Sequence, residues 1–526
     1  MKEHDVVVLG AGHNGLIAAC YLAKAGLDVA VVEQRDHVGG DCTTEELTLP
    51  GFKHDRGSIM HCIIQGNPLL MNDELKLKSK YGLDYIFPEA NLATTFPDGT
   101  AIIQYVDLDK TVESIAKISP HDAEQYRKFI AEISAASNFI SAGSFSAPVD
   151  FDAMVAQFQL SEMGRNCLDA MNHSAYDLLT RWFEHPKVIT HLTKFICEMF
   201  LSPYEVGTGF YLYMLIPASH AAPWALPRGG SQELPNALKR CLEDNGGTVY
   251  LNSEVRRIPV QNGRATGVVL ADGEEIKARR TVVSSLDARL VFGEGRFLDD
   301  GAVDATTCDH VQNLRNPSGC GAMMHFAMND KPAWIAGEEL DKVFNIEPCP
   351  MWDDYKSGFE DIHNGMVPHQ VMPMCVTATL FDPTRAPDGM HTFYVGPEGP
   401  WDLANGGAAA WDEYKFQYAE QTIDQLGQYI SNLKDITLKW FIDSPLDMER
   451  WNPCNYKGTV LGPGMYTDQM FANRPAPKLG RYKTPVDGLW ICGASTHPAG
   501  GVNGGSRAMV PELCEELGID FEDLID

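Results

Sequence analysis

The hydrophobic pattern of the chain begins with an unbroken apolar run, Val6-Val7-Val8-Leu9, short and rich in β-branched residues, which predicts a buried strand. After a glycine-rich turn, residues Asn14 to Ala25 predict a helix that stops at Gly26, and a second apolar strand covers Leu27 to Val32. Turns follow at Val38-Gly39-Gly40 and at Gly51-Phe52-Lys53-His54-Asp55-Arg56-Gly57-Ser58. At Ser119-Pro120-His121-Asp122 a helix is predicted to start, with Ser119 as its cap and Pro120 in its first turn. The pattern then stays largely helical to about Leu215. Pro227-Arg228-Gly229-Gly230-Ser231 ends that region. A helix through Leu242 follows, closed by Asn245-Gly246-Gly247, then strands over Thr248 to Leu251 and Glu254 to Pro259. A hairpin turning at Gly263 leads to Gly267 to Leu270, and after Asp272-Gly273 to a buried strand at Thr281-Val282-Val283. From about 292 to 475 strands, helices and many aromatics alternate, and a last apolar strand lies within Gly488-Leu489-Trp490-Ile491-Cys492-Gly493. No repeat or low-complexity segment is present.

The two glycine-rich ends supply candidate chemistry. In Gly10-Ala11-Gly12-His13-Asn14-Gly15, Gly10 allows the tight turn, Gly12 lets the backbone approach a pyrophosphate, and Gly15 lets the helix pack close. The helix then directs its free N–H groups at the anion. Glu33 ends the second strand eighteen positions after Gly15, where a carboxylate takes ribose hydroxyls and repels a 2′-phosphate, which disfavours NADP. The C-terminal segment, running on to Gly500-Gly501-Val502-Asn503-Gly504-Gly505, supplies the second half of such a site, and the pair points to FAD.

Composition narrows the class. With 526 residues, 44% hydrophobic and 21% charged, the chain reads as an ordinary globular enzyme of two interleaved domains. Its net charge of −29 argues against nucleic acid as a partner and offers no attraction to an anionic membrane. Apolar runs such as Phe210 to Ile216 are far shorter than a membrane span. The nucleotide strand begins so near Met1 that a cleavable leader would destroy the fold, and thirteen cysteines without a C-x-x-C pair suit a reducing compartment, the cytoplasm. Cys42 resembles the redox cysteine of disulfide reductases, but Leu47 occupies the position of its partner, so Cys42 is read as structural. No metal-ligand spacing is found.

Together Gly10 to Gly15, Glu33, Gly39-Gly40, Pro50-Gly51-Phe52 with Asp55, Pro227-Arg228-Gly229-Gly230, Val282 to Asp287, Asp382-Pro383-Thr384 with Ala386 to Gly389, and Gly488 to Gly504 resemble the phytoene dehydrogenase-like flavoproteins of the flavin amine oxidase superfamily. The resemblance spans nearly the whole chain. It implies an α/β fold: a Rossmann-like FAD-binding domain of GR2 type over 1–70, 225–291 and 478–526, with an inserted α+β substrate domain over 71–224 and 292–477. It places Gly10, Gly12, His13, Asn14, Gly15, Glu33, Gln34, Arg35, Gly39, Gly40 and Asp41 around the ADP half, Val255 beside adenine, and Gly493 and Ala494 near the pyrophosphate and ribityl chain. Gly501, Val502 and Asn503 fall beside the flavin, where a helix N-terminus would stabilise charge on reduction. Pro511 departs from the family pattern and predicts a bent or restarted helix.

For catalysis, His61 either lines the substrate side of the flavin or is satisfied by structural hydrogen bonds, and His497 either contacts flavin or substrate or braces its turn. Arg507 either neutralises reduced flavin or sits in an ion pair. Phe210 to Leu215 and Trp182-Phe183 wall a substrate tunnel or form plain core. The expected reaction is hydride removal from a carbon of a mainly apolar or amphipathic small molecule, most simply CH–CH desaturation, with oxygen or a quinone as electron acceptor. CH–NH oxidation and a structural FAD acting through partners stay open, as does the oligomeric state; the acidic composition slightly favours a cationic amine over a carboxylate by steering.

Overall fold

Strand Lys2–Leu9 lies inside a seven-stranded sheet, pairing in parallel with Val29–Val32 on one side and Glu275–Ser284 on the other. Val29–Val32 pairs in parallel with Thr248–Tyr250, and Val282–Ser284 with Leu489–Ile491. The registers Leu9 to Val32, Val32 to Tyr250, Leu9 to Ser284 and Ser284 to Ile491 bring five carboxyl-terminal strand ends to one edge. A parallel sheet with covered faces buries every side chain of a strand, which is why Val6 to Leu9 are apolar without alternation and fully buried. Antiparallel strands Gly267–Leu270 and Val255–Arg257 extend the sheet from the first half of Glu275–Ser284. This computed structural model describes residues 2–293, 295, 297–299 and 301–525.

Helix His13–Lys24 covers one face and ends where Gly26 takes φ +83°. Helix Ser506–Leu517 packs against it through Ala508, Met509, Val510, Leu513 and Cys514. That helix runs on through Pro511, so it does not restart there. Proline removes one amide donor, but the buried face holds the segment helical.

A second seven-stranded sheet has the order Thr437–Asp443, Met323–Met328, His391–Gly396, Met374–Val376, Val343–Pro348, Ala90–Thr95, Ala101–Tyr105. Its neighbours are antiparallel except Val343–Pro348 with Ala90–Thr95. Helices fill the region between the two parts of this sheet in the sequence. Helix Pro120–Ser144 starts as predicted, with Ser119 Oγ accepting the Asp122 N–H at 3.2 Å. It packs against Gly209–Ala221, and Pro186–Cys197 lies beside that helix.

Three motifs distant in sequence meet in one buried cluster. Arg385 is ion-paired to Asp55 and to Asp382 (3.2 Å) and donates to the Pro227 carbonyl at 2.6 Å. Asp55 also accepts from the Ser231 N–H (2.8 Å), and Asp382 from the Gly229 N–H (2.6 Å). All three ionic side chains are buried.

Candidate functional site

At the shared edge of the parallel strands a cavity of about 680 Å³ opens, the crevice in which doubly wound sheets bind ligands. One end is walled by the two nucleotide strands and their turns, including Gly10, Gly12, His13, Asn14, Glu33, Gln34, Arg35, Gly40 and Asp41, with Val255 and Ser285 also present. The cavity continues past Ser58, Met60, Leu461, Ala494, Gly501 and Val502, and ends in a chamber with Phe195, Phe200, Met323, Met374 and Tyr394 in its wall.

The nucleotide end is built for an extended, doubly charged molecule. Gly10 has φ +88°, a left-handed conformation that glycine adopts without strain. A Cβ on Gly15 would stand 2.2 Å from the Gly10 carbonyl oxygen, so a bare helix start is required for the turn to close. Helix His13–Lys24 begins at Gly12 with no capping side chain and no acidic residue in its first turn, leaving its positive end for an external anion. Buried Glu33 accepts N–H groups of Ala11 (2.8 Å) and Arg35 (3.0 Å), which fix its carboxylate at the cavity wall. The Arg35 guanidinium lies 4.3 Å over the Trp451 ring and donates to the Gly40 and Trp451 carbonyls. Asp41 accepts from Asn452 (2.8 Å) and Asn455 (3.1 Å); burial raises its pKa despite both. A glycine cradle, a bare helix N-terminus and a carboxylate at the second strand fit the pyrophosphate and ribose of FAD.

Four residues expected at the cofactor lie behind the cavity wall. Gly15 and Gly39 permit close backbone packing, since a Cβ on Gly39 would meet the Cys42 carbonyl at 2.7 Å. Gly493 has φ +97° and backs onto Ser285. Asn503 bonds the Ala499 and Gly500 carbonyls (2.8 and 3.0 Å) and accepts the Gly505 N–H (2.7 Å), so it closes the turn. The Ser506 N–H is taken by Asn14 Oδ1 at 3.3 Å, which ties the two glycine-rich ends together. At the start of the C-terminal helix the Gly505 and Ser506 N–H groups are thus taken by asparagine side chains.

The three catalytic candidates also face away. His61 is fully buried, with Nδ1 3.0 Å from Tyr85 Oη and Nε2 2.7 Å from Ser231 Oγ; its neighbours Met60 and Cys62 reach the cavity instead. Burial, with the nearby His13 and Arg385, keeps its pKa well below the ordinary value, so the ring is neutral. His497 donates Nε2–H to the Gly143 carbonyl (3.0 Å), packs on Phe471, and has its pKa lowered to about 4 by burial. Arg507 pairs with buried Glu74 (2.8 and 3.1 Å) and covers the Phe521 ring at 5.1 Å. These geometries favour the structural alternative for each. His61→Ala is therefore expected to leave the single-turnover rate of flavin reduction within about threefold of wild type while costing about 1–3 kcal/mol of stability through its orphaned partners. A rate loss of about a hundredfold or more at unchanged FAD content would return His61 to catalysis.

The aromatic runs divide. Met214 and Leu215 reach the cavity, while Phe210 and Tyr211 are core and Trp182 and Phe183 pack on Phe129. Sequence reasoning missed Glu198, a carboxyl in the chamber wall at the end of Pro186–Cys197. Its signal is a single charge inside the apolar run Phe195-Ile196-Cys197-Glu198-Met199-Phe200. Among the described residues no cluster of His, Cys, Asp and Glu could hold a metal, and no helix is long and apolar enough to cross a membrane.

Comparison with known proteins agrees with this site. Residues 15–292 match the family model described as flavin containing amine oxidoreductase. The chain is 28% identical to a subunit of the limonene dehydrogenase of Castellaniella defragrans, over 99% of this chain and 96% of that protein. It is 26% identical to the neurosporene-forming phytoene desaturase of Rhodobacter capsulatus, over 96% and 93%. Among solved structures, a triple mutant of putrescine oxidase has the same fold, with a TM-score of 0.64 at 16% identity over 98% of this chain and 99% of that one. The chain belongs to the flavin-containing amine oxidoreductase family, and it is an FAD-dependent oxidoreductase.

Proposed function

We propose that this enzyme removes a hydride from a carbon of a mainly apolar molecule and desaturates a CH–CH bond. The observation that carries this reading is the continuity of the cavity, from a dinucleotide cradle to a chamber with Phe195, Phe200, Met323, Met374 and Tyr394 in its wall. Such walls favour a hydrocarbon body by removing apolar surface from water, about 25 cal/mol per Å² buried. The names of the limonene and phytoene relatives point the same way.

In this reading Gly10, Gly12, His13, Asn14 and Gly40 hold the pyrophosphate, with Gly15 and Gly39 shaping their turns from behind. Glu33 takes the ribose hydroxyls, Gln34, Arg35, Asp41 and Val255 enclose the adenosine end, and Ala494, Gly501 and Val502 flank the flavin. Gly493 and Asn503 set the backbone of that flank. When bound, FAD supplies a two-electron acceptor for hydride. The protein positions the substrate C–H bond and excludes water. Oxygen or a quinone takes the electrons onward. The cytoplasm is the proposed location, on the odd number of cysteines and the absence of a C-x-x-C pair.

An anaerobic screen of FAD-loaded protein against unsaturated hydrocarbons, cyclic ketones, acids and amines tests this reading. Rapid bleaching by a hydrocarbon is expected. Bleaching by amines alone would replace desaturation with CH–NH oxidation, and no bleaching by any substrate would favour a structural FAD.

A further inference from the structure

Among the described residues, the wall of the apolar chamber has one acidic side chain. Glu198 follows helix Pro186–Cys197, contributes to the cavity wall, and accepts a hydrogen bond from Asn345 Nδ2 at 2.7 Å. The same Nδ2 donates to Glu347 at 3.0 Å, and Glu347 pairs with Lys194 at 2.7 Å, both almost fully buried. Lys194 is ion-paired to Glu347 rather than to Glu198, which feels its charge only from a distance. Asn345 cannot accept its proton through Nδ2, so the carboxyl is held in place without being neutralised. The other titratable groups around it are Glu398, Tyr394, Cys62 and Cys197. None of them is a cation.

We propose that Glu198 is the proton acceptor of the desaturation, and that it steadies the positive charge developing on the substrate carbon. The proposal rests on the desaturation reading. One hydrogen leaves its carbon with the bonding pair, as hydride to the flavin. The hydrogen on the neighbouring carbon leaves as a proton to a carboxylate oxygen of Glu198, and the electron pair of that C–H bond becomes the second bond of C=C. The substrate is oxidised by two electrons, the flavin is reduced by two, and Glu198 ends protonated. In an apolar chamber a lone carboxylate acts on such a developing charge far more strongly than it would in water.

Protonation of the free enzyme agrees with this role. Burial raises the Glu198 pKa to about 7, against the lowering effects of Lys194 and the Asn345 hydrogen bond. The acceptor form is the carboxylate, so the rate rises with pH through that ionisation. Buried Glu398 is raised to about 7 as well but does not reach the cavity, so the two are separated by substitution.

The test is anaerobic stopped-flow bleaching of the FAD-loaded protein by a hydrocarbon that reduces the wild type, across pH. Glu198→Gln is expected to slow bleaching at saturating substrate by about 10²- to 10⁴-fold and to abolish the rise near neutral pH. FAD content and substrate Kd are expected to change by less than about threefold, because the amide keeps the shape and the Asn345 contact. Glu198→Asp recovers part of the rate, Glu398→Gln retains the rise, and Asn345→Ala moves its midpoint upward by removing a donor to the charged form. Difference infrared titration of the FAD-loaded protein gives a readout independent of turnover: two carboxyls titrating near neutrality in wild type, one of them missing in Glu198→Gln and the other in Glu398→Gln. A Glu198→Gln rate within about threefold of wild type, a loss confined to Kd, or no carboxyl missing in Glu198→Gln overturns the assignment while leaving the desaturation reading intact. Failure of every hydrocarbon to bleach the wild type overturns that reading, and the assignment with it.

Discussion

Replacement of Gly15 by alanine is expected to give a folded protein that has lost most of its FAD. The new Cβ would stand 2.2 Å from the Gly10 carbonyl oxygen and 2.8 Å from Ser285 Oγ. The first contact is backbone, in a turn already fixed by the positive φ of Gly10. The start of helix His13–Lys24 must therefore move off the strand end, and its amides move away from the anion site. Overpacking of this kind costs about 1–3 kcal/mol, and where the cost falls on the cofactor site FAD binds about ten- to hundredfold more weakly. FAD released from purified protein measures the effect, with circular dichroism to establish that the fold is retained. Gly26→Ala is the control. Gly26 has φ +83° but open space around its Cβ, so it adds about 1–2 kcal/mol of backbone strain without touching the cradle. Wild-type FAD content in Gly15→Ala would show that the turn does not hold the pyrophosphate.

Replacement of Arg385 by methionine is expected to cost about 3–5 kcal/mol of stability. It leaves Asp55 and Asp382, both without solvent exposure, as buried carboxylates with no cation. In the wild type burial pushes the Asp382 carboxyl up, but hydrogen bonds from Thr384 and the Gly229 N–H, together with the Arg385 charge, outweigh it and hold the pKa below the ordinary value. That stabilisation is present above the unfolded-state pKa and lost as pH falls through the folded one. In Arg385→Met the Asp382 carboxyl loses that lowering charge and rises, so less stability is lost as pH falls and the deficit against wild type shrinks toward about pH 4. Thermal unfolding at neutral and mildly acid pH reads both effects. Breaking the exposed pair Lys80–Asp244 by Lys80→Met should cost less than about 1 kcal/mol, and an equally small change in Arg385→Met would remove the buried cluster as the joint of the three motifs.

The first β-α-β unit was legible because each of its features is local. Val6 to Leu9 carry the strand, the glycines carry the turn, Gly26 stops the helix, and Glu33 arrives at the strand end. The joining of the two ends was legible from their glycine-rich motifs, and the structure gives the direct contact in the Asn14–Ser506 bond, with strand Glu275–Ser284 pairing on one side with Lys2–Leu9 and on the other with Leu489–Ile491. The second sheet was not legible as a topology. Its pairing of Ala90–Thr95 with Val343–Pro348 joins segments on either side of the helical region and of the return to the first sheet. His61 was open in the sequence because its partners Tyr85 and Ser231 lie 24 and 170 positions away. Glu198 was missed although it is a single charge in an apolar run, and the structure sets it in the chamber wall with Asn345 as its donor.

The central claim is that a cavity joining a dinucleotide cradle to an apolar chamber removes hydrogen from a CH–CH bond. Anaerobic mixing of the FAD-loaded enzyme with an unsaturated hydrocarbon, followed by mass analysis of the organic product, tests it directly. The account predicts bleached flavin together with a product lighter by one H₂, in a one-to-one ratio. Bleaching by amines alone, with an imine or its hydrolysis product and no new C=C bond, would contradict it.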